Sequence, residues 1–323
     1  MFDSRYHKSK QFFFVIIKLS IVFGVGYFIY LKLLKNEHLD FDTFITILNK
    51  NGLFSFENVF FLIFLSCFNW FFEILKWQNL VKSIKPISFF SALEQSLGGL
   101  TASLITPNRI GEYGAKAIYF KKSYRKQIVL LNFIGNTAQM TVTTIFGSLA
   151  FILFINNYNI GISTYKLILF SIIIVSIGIF AFLSLKRIPI HIKGFSITRI
   201  ITFIKKEVSV EIHLKNFSFS LIRYVIFSFQ FYYLLLFFNI DIDYFTAMTA
   251  ICSMYILASI IPSLALFDVV IKSGAAVFIF SYLGIDEFII LSITTLMWLL
   301  NFILPSVFGS YFVINFNLPK SKR

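Results

Sequence analysis

Residues 88–116 read SFFSALEQSLGGLTASLITPNRIGEYGAK, and the topology of the whole chain turns on them. The block 88–106 is apolar except for Glu94, Gln95 and a few hydroxyl residues, and it stops at Pro107. Basic residues flank it on both sides: Lys76, Lys82 and Lys85 before, Arg109, Lys116, Lys121, Lys122, Arg125 and Lys126 after. Lys and Arg gather in the cytoplasmic loops of membrane proteins. A segment with two cytoplasmic flanks enters and leaves on one face instead of crossing. Pro107 marks the reversal, since proline lacks the N–H that would continue a helix and disfavours helix in the residue before it.

The membrane premise rests on composition. Of 323 residues, 58% are hydrophobic and 14% charged, against roughly 45–50% and ~25% in soluble domains. Mean hydropathy is +0.81. A soluble domain of this length could not hide so much apolar surface. The net charge of +14 is explained by basic cytoplasmic loops and not by nucleic acid. Cys67 and Cys252 both lie inside apolar runs, so neither a disulfide framework nor a Cys-rich metal site is expected. His7, His38, His191 and His213 lack HExxH spacing, and no Walker A or GxGxxG sequence is present. No metal, cofactor or ATP-driven step is expected within these residues.

Outward from the opening stretch, full crossings are expected at 11–34, 57–77, 127–155, 164–185, 216–238 and 288–314. The first run is too long for a signal-peptide core and reads as an uncleaved helix, with Lys18 snorkelling. A second apolar block, 245–284, is broken at Pro262, Asp268 and Lys272. Its flanks are acidic or neutral (Asp241, Asp243, Asp286, Glu287), so it should enter and leave on the external face. The N-terminus, 76–87, 107–127, 186–215 and the C-terminus are then cytoplasmic; 35–56, 156–163, 239–244 and 285–287 are external. The expected fold is an all-α polytopic membrane domain over 1–323, with about six full spans and two re-entrant or broken elements. Its halves, 1–156 and 157–323, read as an inverted repeat whose broken elements meet near the bilayer midplane. Non-helical backbone at that depth must face protein or a watery cavity. Hairpins that cross fully twice satisfy the same charge rule.

The two breaks match. Pro107 is followed by Glu112 and Lys116, and Pro262 by Asp268 and Lys272. In each, the acid and the lysine are four residues apart on one helix face. Such a pair of breaks suits anion handling. A helix restarting after Pro107 offers free N–H groups, and Arg109 offers a planar fork for phosphate. Lys116 and Lys272 add point charges, with Glu112 and Asp268 neutralising them in the empty site or carrying a proton. The plainer alternative is that these charges only tie broken helices together. Asn132, Asn136, Gln139 and Thr143 share one face of the span after the first break; cavity lining and interhelical hydrogen bonding fit them equally. Glu94 and Gln95 face either the cavity or the cytoplasm, and Gly98 and Gly99 permit close packing. Glu73 and Lys76 read as interfacial. Asn69, Gln230 and Asn301 read as lone packing residues.

The run Pro107-Asn108-Arg109-Ile110-Gly111-Glu112, after Gly98-Gly99 and before Lys116, resembles the signature of the membrane domain of lysylphosphatidylglycerol synthases, the flippase-like or UPF0104 family. The second landmark departs from the pattern: Ser263-Leu264-Ala265-Leu266 stand in place of the usual glycines, and Asp268 in place of Glu. Pro107, Gly111 and Pro262 are the structural breaks on this resemblance. It implies a helical domain in the bacterial cytoplasmic membrane that moves a phospholipid between leaflets. The aminoacyltransferase that accompanies the best-known member has no counterpart expected here.

The expected function is translocation of an anionic or zwitterionic phospho- or polyprenyl-phosphate lipid at a central site. Arg109, Glu112, Lys116, Asp268, Lys272, Asn132, Asn136 and Gln139 are the candidate contacts. Membrane lipid is the expected partner, alongside enzymes of lipid or glycolipid synthesis; the oligomeric state is open. Two alternatives stand: a secondary transporter of a small soluble anion, and a membrane component of glycolipid biosynthesis. Enzyme activity would need a paired acid/base or a metal-binding DxD on the cytoplasmic side, whereas Asp241-Ile242-Asp243 is expected outside and lies alone.

Overall fold

A computed structural model describes residues 46, 55–104, 106, 110–158, 160, 191–192, 195–196, 202–204, 206–260 and 268–316. The expected spans 11–34 and 164–185 lie outside the described residues, as do Pro107, Arg109, Pro262 and the side chain of Asp268.

The described chain forms α1 (Phe56–Val81), α2 (Phe89–Ser103), α3 (Ile110–Ile118), α4 (Arg125–Asn157), α5 (Val210–Phe237), α6 (Tyr244–Ile260), α7 (Asp268–Ser281), α8 (Glu287–Trp298), a π-helical turn (Leu299–Ile303) and α9 (Leu304–Asn315). A two-residue antiparallel pair, β1 (His191–Ile192) with β2 (Phe195–Ser196), lies in the long polar connection. Helix starts follow local sequence: Ser55, Ser88, Ser209 and Asp286 each accept a backbone N–H of the first turn.

Four helices are long and apolar enough to cross a membrane: α1, α4, α5 and the continuous run Glu287–Asn315. They coincide with four of the six expected crossings. Phe60, Phe64, Phe68 and Phe71 form an exposed stripe on α1 that suits a lipid environment. The other helices are shorter. At 1.5 Å per residue, α2 with 15 residues and α6 with 17 reach ~22 and ~25 Å, against a hydrocarbon core of ~30 Å.

The short helices form two hairpins, α2 with α3 and α6 with α7. Each hairpin belongs to a different apolar cluster. One cluster joins Ala92 and Ala117 of the first hairpin to the end of α1 (Trp77, Val81) and the start of α4 (Ile128, Leu131). The other joins α6 and α7 to the opposite ends of the same helices, Leu62 of α1 and Phe154 of α4. Exposed Lys82, Lys85, Lys121, Lys122 and Lys126 lie near the first cluster; exposed Asp241, Asp243, Asp286 and Glu287 lie near the second. Asp243 accepts from Thr246 N at 3.0 Å, and these Thr246 hydrogen bonds hold its carboxyl below the ordinary range.

Each hairpin is gripped by the last long helix of the other half: α9 packs on α2, and α4 packs on α6. Both contacts are made through glycine. A Cβ at Gly309 would press into the Leu97 carbonyl and Thr101 Oγ1, and one at Gly147 would come 2.6 Å from Ile256 Cβ. Small residues let helices approach this closely in membranes. Gly309→Ala is therefore expected to cost about 1–3 kcal/mol through overpacking. Gly274→Ala, with open space around the position, should be neutral or stabilising by up to ~1 kcal/mol. Thermal melts of both purified variants check this contrast.

Candidate functional site

A cavity of about 310 Å³ opens between the two apolar clusters. All four long helices line it: Asn69 and Glu73 from α1, Gln139 from α4, Arg223 from α5 and Asn301 from the π turn. Asn69, Arg223 and Asn301 are at the middle of their helices and Gln139 is close to it, so the polar groups form a layer at half height.

Arg223 is the hub of that layer. Its Nη1 pairs with Glu73 Oε2 and also donates to Gln139 Oε1 at 3.3 Å. Its Nε donates to Asn69 Oδ1 at 3.0 Å and to Asn69 O at 3.3 Å. Asn69 Nδ2 donates to Asn301 Oδ1 at 3.1 Å, Asn301 Nδ2 to Gln230 Oε1 at 2.8 Å, and Gln230 Nε2 to Leu62 O at 3.1 Å. Lys76 Nζ meets the same Glu73 oxygen as Arg223, at 2.6 Å. One carboxylate thus serves two cations. The links from Arg223 through Asn69, Asn301 and Gln230 to Leu62 each run between helices, whereas Lys76 pairs with Glu73 within α1.

The π turn supplies two further acceptors. Leu304 N donates to Leu299 O, one residue further back than an α-helix would allow, which leaves Leu300 O free. Ser66 Oγ donates to it at 2.5 Å. Pro305 has no N–H for Asn301 O, and Trp70 Nε1 donates there at 3.0 Å instead. Bulges of this kind recur at functional sites; here it turns Asn301 into the layer while α1 caps the exposed backbone.

A second ion pair sits where the first hairpin closes. Lys116 Nζ lies 2.7 Å from Glu112 Oε1, donates to Asn132 Oδ1 at 2.9 Å and stands 4.3 Å from the Trp77 ring centroid. Trp77 Nε1 donates to Gln95 Oε1 at 2.9 Å. Lys116 is 1% exposed and Glu112 3%. A Cβ at Gly99 would lie 3.3 Å from Glu112 Cγ, so Gly99 lets the charged arm dock. Gly111 closes the turn: its N–H donates to Thr106 Oγ1 at 2.8 Å, and a Cβ there would press into the Ala102 carbonyl.

Of the expected contacts, Glu112, Asn136, Gln139 and Lys272 line the cavity, as does Thr143. Asn136 Nδ2 donates to Tyr113 OH at 3.0 Å. Lys116 and Asn132 are packed behind the cavity wall, paired with each other. Several readings need correction. Glu73 and Lys76, taken as interfacial, are 8% and 3% exposed and line the cavity. Asn69, Gln230 and Asn301, taken as lone packing residues, are consecutive links of one network. Arg223 carries a single signal in the sequence, a lone arginine in the middle of an apolar run.

Among the described residues, the charged side chains lining the cavity are Lys76, Arg223 and Lys272, with Glu73 and Glu112 beside them. The cavity also adjoins a smaller apolar slot of about 20 Å³, with Phe227, Tyr255, Lys272 and Phe302 common to both walls.

The family model described as "Lysylphosphatidylglycerol synthase TM region" matches residues 15–309. No curated protein and no solved structure matches the chain.

Proposed function

Because the chain belongs to the lysylphosphatidylglycerol synthase TM region family, we propose that it is a lipid translocator of the bacterial cytoplasmic membrane. It binds an anionic or zwitterionic lipid in the central cavity and passes it between leaflets. The observation that carries this reading is the buried charged layer, centred on Arg223, around a cavity at half height of four membrane-length helices. Intramembrane charge is costly and is retained where it meets a ligand. The family, whose model is the membrane region of a lipid synthase, favours an amphiphile over a small soluble anion.

The two hairpins act as re-entrant elements of an inverted repeat, one entering from each face. The reciprocal grip of α9 on α2 and α4 on α6 supports this, as do the two apolar clusters at opposite ends. The basic end faces the cytoplasm, with both termini on that side. In the empty state Glu73 holds Arg223. An incoming phosphate competes for the guanidinium, and rocking of one half against the other moves the site from face to face. Energy comes from an ion gradient or from consumption of the lipid by a downstream enzyme. No aminoacyl transfer is assigned to the chain. Enzymes of lipid or glycolipid synthesis are its functional partners.

The motif Pro107 to Glu112 makes Arg109 the candidate phosphate fork. Arg109→Ala is expected to abolish transport while the protein stays folded. Mass spectrometry of lipids that co-purify with wild type and with the variant tests this. One phospholipid or polyprenyl-phosphate species enriched in wild type and lost in Arg109→Ala supports the role. Identical bulk lipid in both removes Arg109 from the mechanism and brings forward the soluble anion.

A further inference from the structure

The helical run Glu287–Asn315 is attached to both hairpins. Its first part, α8, packs on α7 and α5, and Ile290, Ile293 and Leu296 enter the apolar cluster of the second hairpin. The hydroxyls of Ser273 on α7 and Thr294 on α8 share a hydrogen bond of 2.8 Å. Its last part, α9, packs on α2 of the first hairpin through Gly309, and Ser306 O accepts from Thr101 Oγ1 at 2.9 Å. The π turn lies between these two parts. It shares one small apolar cluster with Val269 of α7, and its Phe302 packs in another with Trp70, Leu97 and Leu100. A single helix is thus clamped to one hairpin before the turn and to the other hairpin after it.

The turn is the weak place in that helix. Leu304 N passes over Leu300 O, and Pro305 offers no N–H to Asn301 O. Sharp bends in helices form at prolines and π bulges. The two carbonyls left over are held by side chains of α1, Ser66 and Trp70. By contrast α4, which grips the second hairpin through Gly147, is α-helical for all 33 residues. The turn is also linked to the cavity. Asn301 Oδ1 accepts from Asn69 Nδ2, and Asn69 Oδ1 accepts from Arg223 Nε. One side chain separates the turn from the arginine.

We propose that the π turn is the joint of the rocking motion, and that Ser66 and Trp70 are the latch that holds its present position. The first hairpin and α9 tilt as one body against the second hairpin and α8. Hinges of this kind are a few residues that absorb the change in backbone angles. This rests on the translocator reading and adds where the bend occurs and what restrains it. An anion that draws Arg223 away frees Asn69, and through it Asn301, so the ligand biases the joint.

The test is double electron–electron resonance on the spin-labelled full chain in mild detergent, with Cys67→Ala and Cys252→Ala as background. One label pair, Phe278→Cys with Tyr311→Cys, spans the joint. The other, Ile110→Cys with Tyr311→Cys, lies within one body; all three positions are exposed. The spanning pair should show two separations, and phosphatidylglycerol or a polyprenyl phosphate should shift their ratio. Ser66→Ala and Trp70→Phe each remove one latch bond and should raise the minor population about threefold to tenfold without lipid. Pro305→Ala restores an N–H for Asn301 O and should lower that population. The inner pair should keep one separation throughout. Identical distributions of the spanning pair in the background chain and all three variants overturn the proposal, as does an equal change in the inner pair. If they are identical while native mass spectrometry shows either lipid bound by wild type and lost in Arg223→Gln, the translocator reading stands and this inference falls. If the variants shift the spanning pair while neither lipid binds, the joint stands and the lipid reading falls.

Discussion

Lys116→Met lowers the unfolding free energy by about 3–5 kcal/mol, the usual cost of removing one partner from a buried pair. The size follows from what is left behind. Glu112 is 3% exposed and loses both the ammonium 2.7 Å away and its charge balance. Asn132 Oδ1 loses its donor at the same time. Trp77 loses the cation over its ring. The double variant Glu112→Gln/Lys116→Met should recover most of the loss, because no uncompensated charge remains. Thermal or denaturant unfolding in detergent measures both. A single variant as stable as wild type would mean that water or lipid in the cavity, which Glu112 lines, compensates its charge. The pair ties α3 to α4 through Asn132, so the single variant should also increase proteolysis within α3, Ile110–Ile118.

Glu73→Gln has a similar expected cost, about 3–5 kcal/mol, with an opposite consequence for binding. It leaves Lys76 and Arg223 facing each other across a neutral amide, since both now share one carboxylate oxygen. Glu73→Gln/Arg223→Gln should be more stable than Glu73→Gln alone. In the folded fraction, however, Glu73→Gln frees Arg223 from its internal competitor. An anionic lipid should then bind more tightly and leave more slowly, whereas Arg223→Gln should lose it. Lipid titration of the two single variants decides the point: equal losses in both would make Glu73 a ligand contact instead of a gate for Arg223.

The resemblance drawn from six residues, Pro107 to Glu112, agrees with a family match over 15–309. Hydropathy and charge located four of the long helices within a few residues, and Pro107 and Pro262 announced the two hairpins. The return arm was harder to read. Residues 107–127 carry so many basic groups that they read as a cytoplasmic loop, yet α3 puts Lys116 at 1% exposure. What outweighs the basic composition is the local i,i+4 acid partner, Glu112, together with the space that Gly99 leaves for it.

Apolar runs, loop charge and proline breaks act over a few neighbouring residues, so the sequence by itself determined the membrane environment, the helix boundaries and the places where helices fail. The centre of the site is different in kind. Arg223 and Glu73 are 150 residues apart, Asn69 and Asn301 232 apart, and each alone is merely a polar residue in an apolar run. Only the tertiary structure could bring them together, because in a medium without water each buried donor must find its acceptor on another helix, and the packing of the helices selects which one.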